Sequence, residues 1–397
     1  MIDFMELMQI FSIPRPNGSA AEKQTREALL DWLERHGVAY QLHTFRVYPY
    51  FFEAIGVWLI ISRTILALAI WFRWGWPAFG IALVGILGGL LDVAMNFPLV
   101  TWLGARKGYN LLIQFEPCDP KREIILSAHY DSKTELMDHR KRLFFVMQIP
   151  LGIFLSAILG VLGPLDRTLL DVESSWESMV FIVSILLSLY LLFLAWGLGL
   201  NLALGRLRHP SQGAVDNGAA CAILLGLAKR LNNGELPVEE TRITLALFTG
   251  EEVNMQGSRA YTLDRDWLLP AVALNLEVMG QNGDYVVWGM DGNSLKLVPT
   301  STQVNRVIIA AVEETTGLPA RLVGPVNSDG YSFLRIGIPA STIGTYDKLM
   351  KDRGFHLPSD NLERVVMARL PEAVEILVHF IKEVNFKTII MPKELGL

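Results

Sequence analysis

Four long apolar stretches constrain what this 397-residue chain can fold into. They cover residues 54–72, 76–103, 143–165 and 178–204. Each approaches or exceeds the roughly 20 residues that a helix needs to cross the hydrocarbon core of a bilayer. A long helix in the core of a soluble protein usually keeps a polar stripe, which these stretches lack. The pattern therefore predicts four transmembrane helices, arranged as one hairpin at residues 51–103 and a second hairpin at residues 143–204.

The segments outside the hairpins alternate between predicted strands and predicted helices. Strands are predicted at residues 38–47, 109–115, 123–128, 241–248, 271–276, 285–288 and 338–343. Helices are predicted at residues 19–36, 216–231, 301–316 and 361–384. Such alternation is typical of a three-layer α/β fold with a mostly parallel central sheet. We therefore predict one discontinuous domain made of residues 1–50, 104–142 and 205–397, interrupted by the two transmembrane α-helical hairpins.

The composition favours a membrane protein and gives no sign of a nucleic-acid partner. Hydrophobic residues make up 51% of the chain and charged residues 19%, whereas an ordinary soluble domain has about 25% charged residues. The net charge is −5, and no basic cluster suggests binding of nucleic acid. The N-terminus carries acid where a signal peptide would be basic, and Cys118 and Cys221 do not form a disulfide framework. We expect the lipid bilayer, and no nucleic acid, among the partners.

The charges beside the predicted spans indicate which side of the membrane carries the domain. The domain side has these basic residues: Arg35, Arg46, Arg106, Lys107, Lys133, Arg140, Lys141, Arg142, Arg206 and Arg208. The opposite side has Arg73 and Arg167, and its second loop is acidic. Because basic residues accumulate on the cytoplasmic side of membrane proteins, the sequence predicts an integral protein of the cell membrane with a cytoplasmic domain.

Two charged residues, Arg63 and Asp92, fall inside the first and second predicted spans. A charge within a bilayer is costly unless it is paired. Folding the hairpin at residue 75 would bring the two side chains within roughly two helical turns of each other. We therefore predict an intramembrane ion pair. A transport role is the weaker alternative, because four spans with one charge pair make a poor transport pathway.

Two adjacent glutamates, Glu251 and Glu252, follow the apolar run at residues 243–250. Neighbouring carboxylates repel each other unless a strong positive charge lies nearby. A divalent metal can supply that charge, with one glutamate as its ligand and the other as a proton carrier. An ordinary acidic loop is the alternative for this pair taken alone.

Other acids and histidines stand at similar positions along the chain. His129 ends an apolar strand and is followed by Asp131, Asp216 opens a helix, Glu277 ends a strand, and His356 precedes the last helix. Each has an ordinary explanation alone, such as a helix N-cap for Asp216. Together they occupy the carboxyl ends of predicted strands, where open α/β sheets place their sites. The set therefore predicts a metal site.

A series of short motifs extends through everything except the four spans. The motifs are Arg15-Pro16-Asn17-Gly18-Ser19, Gly108-Tyr109-Asn110, His129-Tyr130-Asp131-Ser132, Asp216-Asn217-Gly218, Gly250-Glu251-Glu252, Gly257-Ser258-Arg259, Asn275-Leu276-Glu277, Ser328-Asp329-Gly330, Gly337-Ile338-Pro339-Ala340 and His356-Leu357-Pro358-Ser359-Asp360. With these motifs the chain resembles metallopeptidase family 28 (clan MH), the di-zinc aminopeptidases and their membrane-bound relatives.

The resemblance implies two divalent metal ions, Zn²⁺ in the family. Its implied ligands are His129, Asp216, Glu252, Glu277 and His356. His129 and Glu277 would hold one ion, Glu252 and His356 the other, and Asp216 would bridge them.

The resemblance also implies a function for the remaining acids. Asp131 would orient His129, and Glu251 would be the general base that activates water. The implied substrates are peptides with a free N-terminus, and the implied activity is that of a membrane-anchored aminopeptidase. Harder metals such as Mn²⁺ or Co²⁺ would also suit a carboxylate-rich ligand set.

The sequence departs from the family pattern at three positions. Glu277 replaces the usual aspartate, and Gly330 stands where many relatives have histidine. Phe355 replaces a common tyrosine whose hydroxyl can assist the reaction; Tyr331 and Tyr346 are candidate substitutes. None of these departures removes a ligand.

Two other kinds of function remain as alternatives. Glutaminyl cyclase and carboxypeptidase activities occur on the same fold, and His129-Tyr130-Asp131-Ser132-Lys133 is similar to the cyclase sequence. Cyclases, however, normally carry tryptophan before the last histidine and a second Asp-His pair. An inactive membrane scaffold is the other alternative, although such a scaffold would be expected to have lost metal ligands.

Overall fold

The computed structural model of the chain describes residues 2–95, 98–102, 104–168, 175–236, 238–293, 295–346 and 354–384. The chain divides into two compact units. The first unit comprises Met1–Pro49, Arg106–Thr134 and His209–Leu397, and the second comprises Tyr50–Ala105 and Glu135–Arg208. The second unit includes the short helix His139–Met147, which the sequence analysis divided between the domain and the second hairpin.

The described residues form strands and helices in alternation. The strands are β1 (Gln41–Val47), β2 (Arg106–Phe115), β3 (Arg122–His129), β4 (Thr241–Phe248), β5 (Ala271–Leu276), β6 (Asp284–Gly292), β7 (Leu297–Pro299), β8 (Arg321–Val326) and β9 (Ala340–Tyr346). The helices are α1 (Phe4–Ile10), α2 (Ala20–Arg35), α3 (Phe51–Trp71), α4 (Trp76–Met95), α5 (His139–Met147), α6 (Ile149–Thr168), α7 (Ser175–Leu204), α8 (Ala219–Asn232), α9 (Gln256–Leu263), α10 (Thr302–Thr316), α11 (Gly330–Arg335) and α12 (Arg369–Glu383).

Local sequence signals set several helix ends. The hydroxyl of Ser19 accepts the backbone N–H of Glu22 and caps α2, and Ser301 caps α10 in the same way. Gly317 ends α10 with a φ of 75°, a left-handed conformation that favours glycine. These caps satisfy N–H groups that would otherwise lack partners at the helix ends.

The central sheet of the first unit is mixed. Its strand order is β1-β2-β4-β3-β5-β9-β6-β7, and β8 pairs with β6. The four inner strands β4, β3, β5 and β9 run parallel, as does the β6–β8 pair. The pairs β1–β2, β2–β4, β6–β7 and β6–β9 run antiparallel. The predicted fold class is confirmed, but parallel pairing is concentrated in the centre of the sheet and does not dominate it.

Helices cover both faces of this sheet. Ile124 and Leu126 of β3 belong to a core that includes side chains of α2, α8 and α12. Ile125 belongs to a second core with Tyr261 of α9 and Phe333 of α11. Because successive strand residues point to opposite faces, the two cores lie on opposite sides of the sheet. This arrangement is a three-layer α/β fold.

The second unit contains four helices that are long and apolar enough to cross a membrane: Phe51–Trp71, Trp76–Ala94, His139–Leu165 and Ser178–Leu207. They correspond to the four apolar stretches that the sequence analysis found. Residues 169–174 of the second loop, and the side chain of Arg167, lie outside what the structure describes.

The predicted ion pair between Arg63 and Asp92 is wrong. Arg63 donates to the Ser62 hydroxyl at 3.3 Å and to the Gly85 carbonyl at 3.4 Å. A Cβ on Gly85 would lie 2.3 Å from Nη1 of Arg63, so glycine provides the space for this contact. The Asp92 carboxylate accepts the backbone N–H of Val100 at 2.8 Å. Within the described residues, the two charges therefore bind backbone and hydroxyl groups instead of each other.

Candidate metal centre

The carboxyl ends of three neighbouring parallel strands carry the centre of the predicted site. β3 ends at His129, β4 ends at Phe248 shortly before Glu251, and β5 ends at Leu276 next to Glu277. The structure brings all of the predicted site residues together at this edge: His129, Asp131, Asp216, Glu251, Glu252, Glu277 and His356. Parallel pairing thus converts residues far apart in sequence into one cluster.

Asp216 lies between the two histidines. Its Oδ1 is 3.3 Å from Nε2 of His129, and its Oδ2 is 3.3 Å from Nε2 of His356. Each histidine also faces a glutamate. Oε1 of Glu277 is 3.4 Å from Nε2 of His129, and Oε2 of Glu252 is 3.0 Å from Nε2 of His356. The result is two ligand groups, each with one histidine and one glutamate, that share Asp216.

The spacing of these atoms fits metal coordination. Nitrogen and oxygen ligands lie about 2.1 Å from zinc, so adjacent ligands of a tetrahedral ion are roughly 3.4 Å apart. The distances within the two groups are 3.3, 3.4, 3.3 and 3.0 Å. Oε1 of Glu252 is buried without a hydrogen-bond partner among the described residues. Ligand atoms of His129, Asp216 and Glu252 also lie within 4.8 Å of one another. The residues present therefore fit divalent metal.

Asp131 supports both ligand groups from behind. Nδ1 of His129 is 3.2 Å from the carbonyl oxygen of Asp131 and 3.6 Å from its Oδ1. The other carboxylate oxygen, Oδ2, accepts the backbone N–H of Glu252 at 3.3 Å. Directing Nδ1 towards Asp131 leaves Nε2 of His129 facing the acids. The backbone carbonyl of Asp131 thus orients His129, and the side-chain carboxylate of Asp131 orients Glu252.

The loop before α8 is held so that Asp216 faces the histidines. Asp360 accepts the backbone N–H of Val215 at 2.7 Å and that of Asp216 at 3.1 Å. Gly213 has a φ of 63°, and a Cβ there would lie 2.5 Å from the carbonyl oxygen of Asp216. The loop therefore closes with glycine at this position and not with a larger residue.

Glu251 faces the cluster but belongs to neither ligand group. Its Oε2 is 3.8 Å from Nε2 of His129, the longest contact of that nitrogen with an acid in the cluster. Burial raises the pKa of Glu251 well above its ordinary value; His129 opposes this, and the charges of Glu252, Glu277 and Asp329 add to it. A carboxylate whose pKa is raised in this way can accept a proton near neutral pH.

Comparison with known proteins agrees with this geometry. Residues 200–381 match the sequence profile of peptidase family M28. This match covers a little under half of the chain. A search of curated protein sequences found no significant match. Residues 200–381 are thus similar to a metallopeptidase family, and the chain contains a buried group of His129, Asp216 and Glu252 that could bind metal.

Solved structures of the same fold include peptidases and cyclases. A leucine aminopeptidase precursor from Bacteroides thetaiotaomicron VPI-5482 is 12% identical, with 96% of each chain covered and a TM-score of 0.55. A glutaminyl cyclase from Bacteroides thetaiotaomicron is 12% identical, with 96% of this chain and 97% of that chain covered and a TM-score of 0.55. A Zn-dependent exopeptidase from Parabacteroides distasonis ATCC 8503 is 13% identical, with 96% and 97% covered and a TM-score of 0.52. At these identities the likeness shows the fold.

Asp329 is an acid of this region that the sequence analysis did not assign to the site. It is fully buried, and neither of its carboxylate oxygens has a hydrogen-bond partner among the described residues. Burial raises the pKa of Asp329 to about 7; His129 opposes this, and the charges of Asp131 and Glu252 add to it. Its place in the motif Ser328-Asp329-Gly330 was the signal that could have identified it.

Gly330 has no space for the histidine that many M28 relatives carry there. A Cβ would lie 2.6 Å from Oγ1 of Thr342 and 2.8 Å from Oδ2 of Asp291. Asp291 is buried and accepts the hydroxyls of Ser328 at 2.6 Å and Thr342 at 3.1 Å. In this chain a hydrogen-bonded carboxylate therefore occupies the space beside Gly330.

His356 reaches the site from a strained backbone conformation. Its φ is 61°, which is uncommon for a residue with a side chain and costs roughly 1–3 kcal/mol. The preceding residue, Phe355, packs against the larger apolar core. The position where the family often has tyrosine therefore contributes packing and carries no hydroxyl.

Proposed function

We propose that this protein is a membrane-anchored, metal-dependent aminopeptidase. The proposal is carried by two ligand groups that share Asp216, with Glu251 beside them and outside both. A shared carboxylate suits two neighbouring divalent ions, and a nearby unused glutamate suits a base.

The distances support the proposed ligand roles. His129 and Glu277 would hold one ion, Glu252 and His356 the second, and Asp216 both. Histidine nitrogen and carboxylate oxygen are ligands that Zn²⁺ accepts. When bound, the ions lower the pKa of a water molecule and polarise the carbonyl of the scissile peptide bond.

Glu251 supplies the proton transfers. It accepts a proton from the attacking water as the water oxygen bonds to the peptide carbonyl carbon. It then delivers that proton to the leaving amine as the C–N bond breaks. The position of Glu251 beside the ligand groups and outside both of them supports this role, because a carboxylate that is not a ligand can hold the proton between the two steps.

The charge at the site favours the N-terminus of a peptide. Beyond the ligands, Asp131, Glu251 and Asp329 place three further carboxyl groups at this edge, with Asp131 and Asp329 fully buried. Asp131, together with Glu251 and Asp329 in their ionised forms, would attract a substrate α-ammonium and repel a substrate C-terminal carboxylate. This supports peptides with a free N-terminus as substrates and argues against carboxypeptidase activity.

The four apolar helices of the second unit would anchor the enzyme in the lipid bilayer. Basic residues near the spans, among them Arg140, Lys141 and Arg208, support placing the catalytic domain on the cytoplasmic side of the cell membrane.

The test uses full-length protein purified in detergent. Metal content and hydrolysis are measured together, with one peptide offered in free and N-acetylated forms. We expect close to two metal ions per chain and cleavage of the free form. Glu251→Gln should bind metal and lower kcat by at least about 10²-fold. Glu123→Gln is the control, since Glu123 is a buried carboxylate at the opposite end of β3, and its folded fraction should keep activity.

Other outcomes point to other functions. Metal binding with cyclisation of N-terminal glutamine, and no peptide cleavage, would assign the chain to the cyclases that share its fold. Equal cleavage of free and acetylated peptides would reject an aminopeptidase. A folded chain with neither metal nor turnover would be a membrane scaffold.

A further inference from the structure

Arg15 is a fully buried cation between α1 and α2, and its guanidinium binds main-chain carbonyls. Nη1 donates to Phe11 at 3.0 Å and to Ile13 at 3.4 Å, and Nη2 donates to Gly213 at 2.7 Å. Two shorter bonds run from Nε to the carbonyl of Tyr130 and from Nη1 to that of Gln212. Five carbonyl oxygens therefore accept from the guanidinium: three from Nη1, one from Nη2 and one from Nε.

Three of these acceptors lie in the two loops that carry metal ligands. Tyr130 stands between His129 and Asp131. Gln212 and Gly213 lead directly into the loop of Asp216. A single side chain therefore joins two loops that come from distant parts of the sequence and that meet at the shared ligand.

Backbone contacts extend this connection. The N–H of Arg15 donates to the hydroxyl of Ser132 at 2.9 Å, and the N–H of Ser132 donates to the carbonyl of Arg15 at 3.1 Å. On the other loop, a Cβ on Gly218 would lie 2.6 Å from Cβ of Phe11 and 3.2 Å from Nη2 of Arg15. The loops and the Phe11–Arg15 segment are thus packed without space between them.

The guanidinium of Arg15 does not form a salt bridge with a carboxylate among the described residues. Burial lowers the pKa of Arg15, and nearby Cys221, Asp360, Asp131 and Asp216 oppose this lowering. The positive charge therefore stays available to offset the crowded carboxylates of the ligand set.

We infer that Arg15 is a positioning residue of the metal centre, one that fixes the Asp131 and Asp216 loops relative to each other. The inference rests on the proposed function only in taking this centre to bind metal. Lysine cannot replace arginine here, because an ammonium offers three donors from one point and cannot reach five carbonyls.

The test compares Arg15→Lys with Arg265→Lys in the full-length protein. Arg265 is a matched control, since its guanidinium also forms several hydrogen bonds. Its Nη1 and Nη2 donate to Glu123 at 3.0 and 2.6 Å, and it lies in the loop after α9.

Metal affinity is measured by competition with a chelator, and ligand geometry by the visible absorption of bound Co²⁺. We expect Arg15→Lys to lower metal affinity roughly 10–100-fold, to alter the Co²⁺ spectrum and to lower kcat more than it changes KM. Arg265→Lys should reduce thermal stability while affinity and spectrum remain native.

Ser132→Ala provides a milder variant if Arg15→Lys fails to fold. It removes the acceptor for the Arg15 N–H and should lower metal affinity by a smaller factor in the same direction. Native affinity and a native Co²⁺ spectrum in every folded variant at Arg15 or Ser132 would overturn the inference. Metal binding without aminopeptidase turnover in the native chain would instead reject the proposed function alone, and a native chain that binds no metal would reject both.

Discussion

Two adjacent glutamates have different environments although their sequence context is the same. Oε2 of Glu252 approaches His356 to 3.0 Å, and its backbone N–H is held by Asp131. Glu251 comes no closer than 3.8 Å to the ring nitrogen of His129 in the ion pairs of the cluster. The short contact suits a ligand, and the longer one leaves a carboxylate able to exchange protons. The two glutamates thus differ in their proposed roles because their distances to the nearest histidine nitrogen differ by less than an ångström.

Glu22 illustrates how a buried acid makes stability depend on pH. Its Oε2 accepts the N–H of Gly18 at 2.5 Å, and its Oε1 accepts the hydroxyl of Thr249. Burial raises the pKa of Glu22 from 4.5 to about 7, although these hydrogen bonds act in the opposite direction. A pKa raised in the folded state means that the native protein binds the proton more tightly. The corresponding stabilisation is present below pH 4.5 and is lost as the pH rises to about 7.

We expect Glu22→Gln to reduce this pH dependence, because glutamine keeps an acceptor for Thr249 and does not ionise. Between pH 4.5 and 7, the free energy of unfolding of the native domain should fall relative to that of the variant by about 2–3 kcal/mol. Denaturant unfolding at several pH values measures the difference. Glu27→Gln, an exposed change on the same helix, should keep the native slope. Parallel slopes for native protein and Glu22→Gln would contradict the assignment.

At the scale of elements, strands buried on both faces were the most predictable. β3, β4 and β5 appear in the sequence as short apolar runs, and each stands close to its predicted position. Strand direction at the sheet edges was not predictable. The pairs β1–β2 and β6–β9 join segments that are distant in sequence, and local patterns carry no information about such pairing.

The same limit explains the two errors at the level of side chains. The Arg63–Asp92 pair was expected from helix periodicity, but Asp92 lies near the end of α4, where its carboxylate accepts hydrogen bonds from backbone N–H groups of the following segment. Asp329 was missed as a site residue because its proximity to the cluster depends on how α11 packs. The seven site residues could be predicted because most of them follow a strand or open a helix at one sheet edge, which is a local signal, and because their motifs resemble those of a known family.

The junction of α8 with its preceding loop provides a prediction at this scale. In Gly218→Ala, the new Cβ would lie 2.6 Å from Cβ of Phe11, so the Phe11 segment or the Asp216 loop must move. We expect a loss of about 1–3 kcal/mol in the free energy of unfolding and weaker metal binding, measured by unfolding and by chelator competition. Gly324→Ala is the control, because a Cβ there meets no atom within 4 Å. Native metal affinity in Gly218→Ala would show that the loop tolerates the displacement.

At the scale of the whole molecule, the chain combines a discontinuous α/β domain with two pairs of apolar helices. Each insertion contributes two helices of membrane-spanning length. An even number of crossings at each insertion returns the chain to the side it left, so all parts of the domain can fold together on one side. The basic residues on the domain side are the reason why we propose that this side is cytoplasmic.

Cysteine labelling in intact cells tests this orientation. Cys118 is exposed and Cys221 is buried, so Cys118 is the natural reporter on the domain. A membrane-impermeant maleimide should modify it only after the cells are permeabilised.

For the opposite side, Trp74→Cys in a Cys118→Ala background places a thiol in the turn after α3, where Trp74 is 46% exposed. This thiol should react in intact cells, because the turn lies at the other end of the first hairpin. Cys118→Ala alone should remain unlabelled. Reaction of Cys118 in intact cells, with protection of the cysteine at position 74, would place the domain outside and make its substrates extracellular peptides.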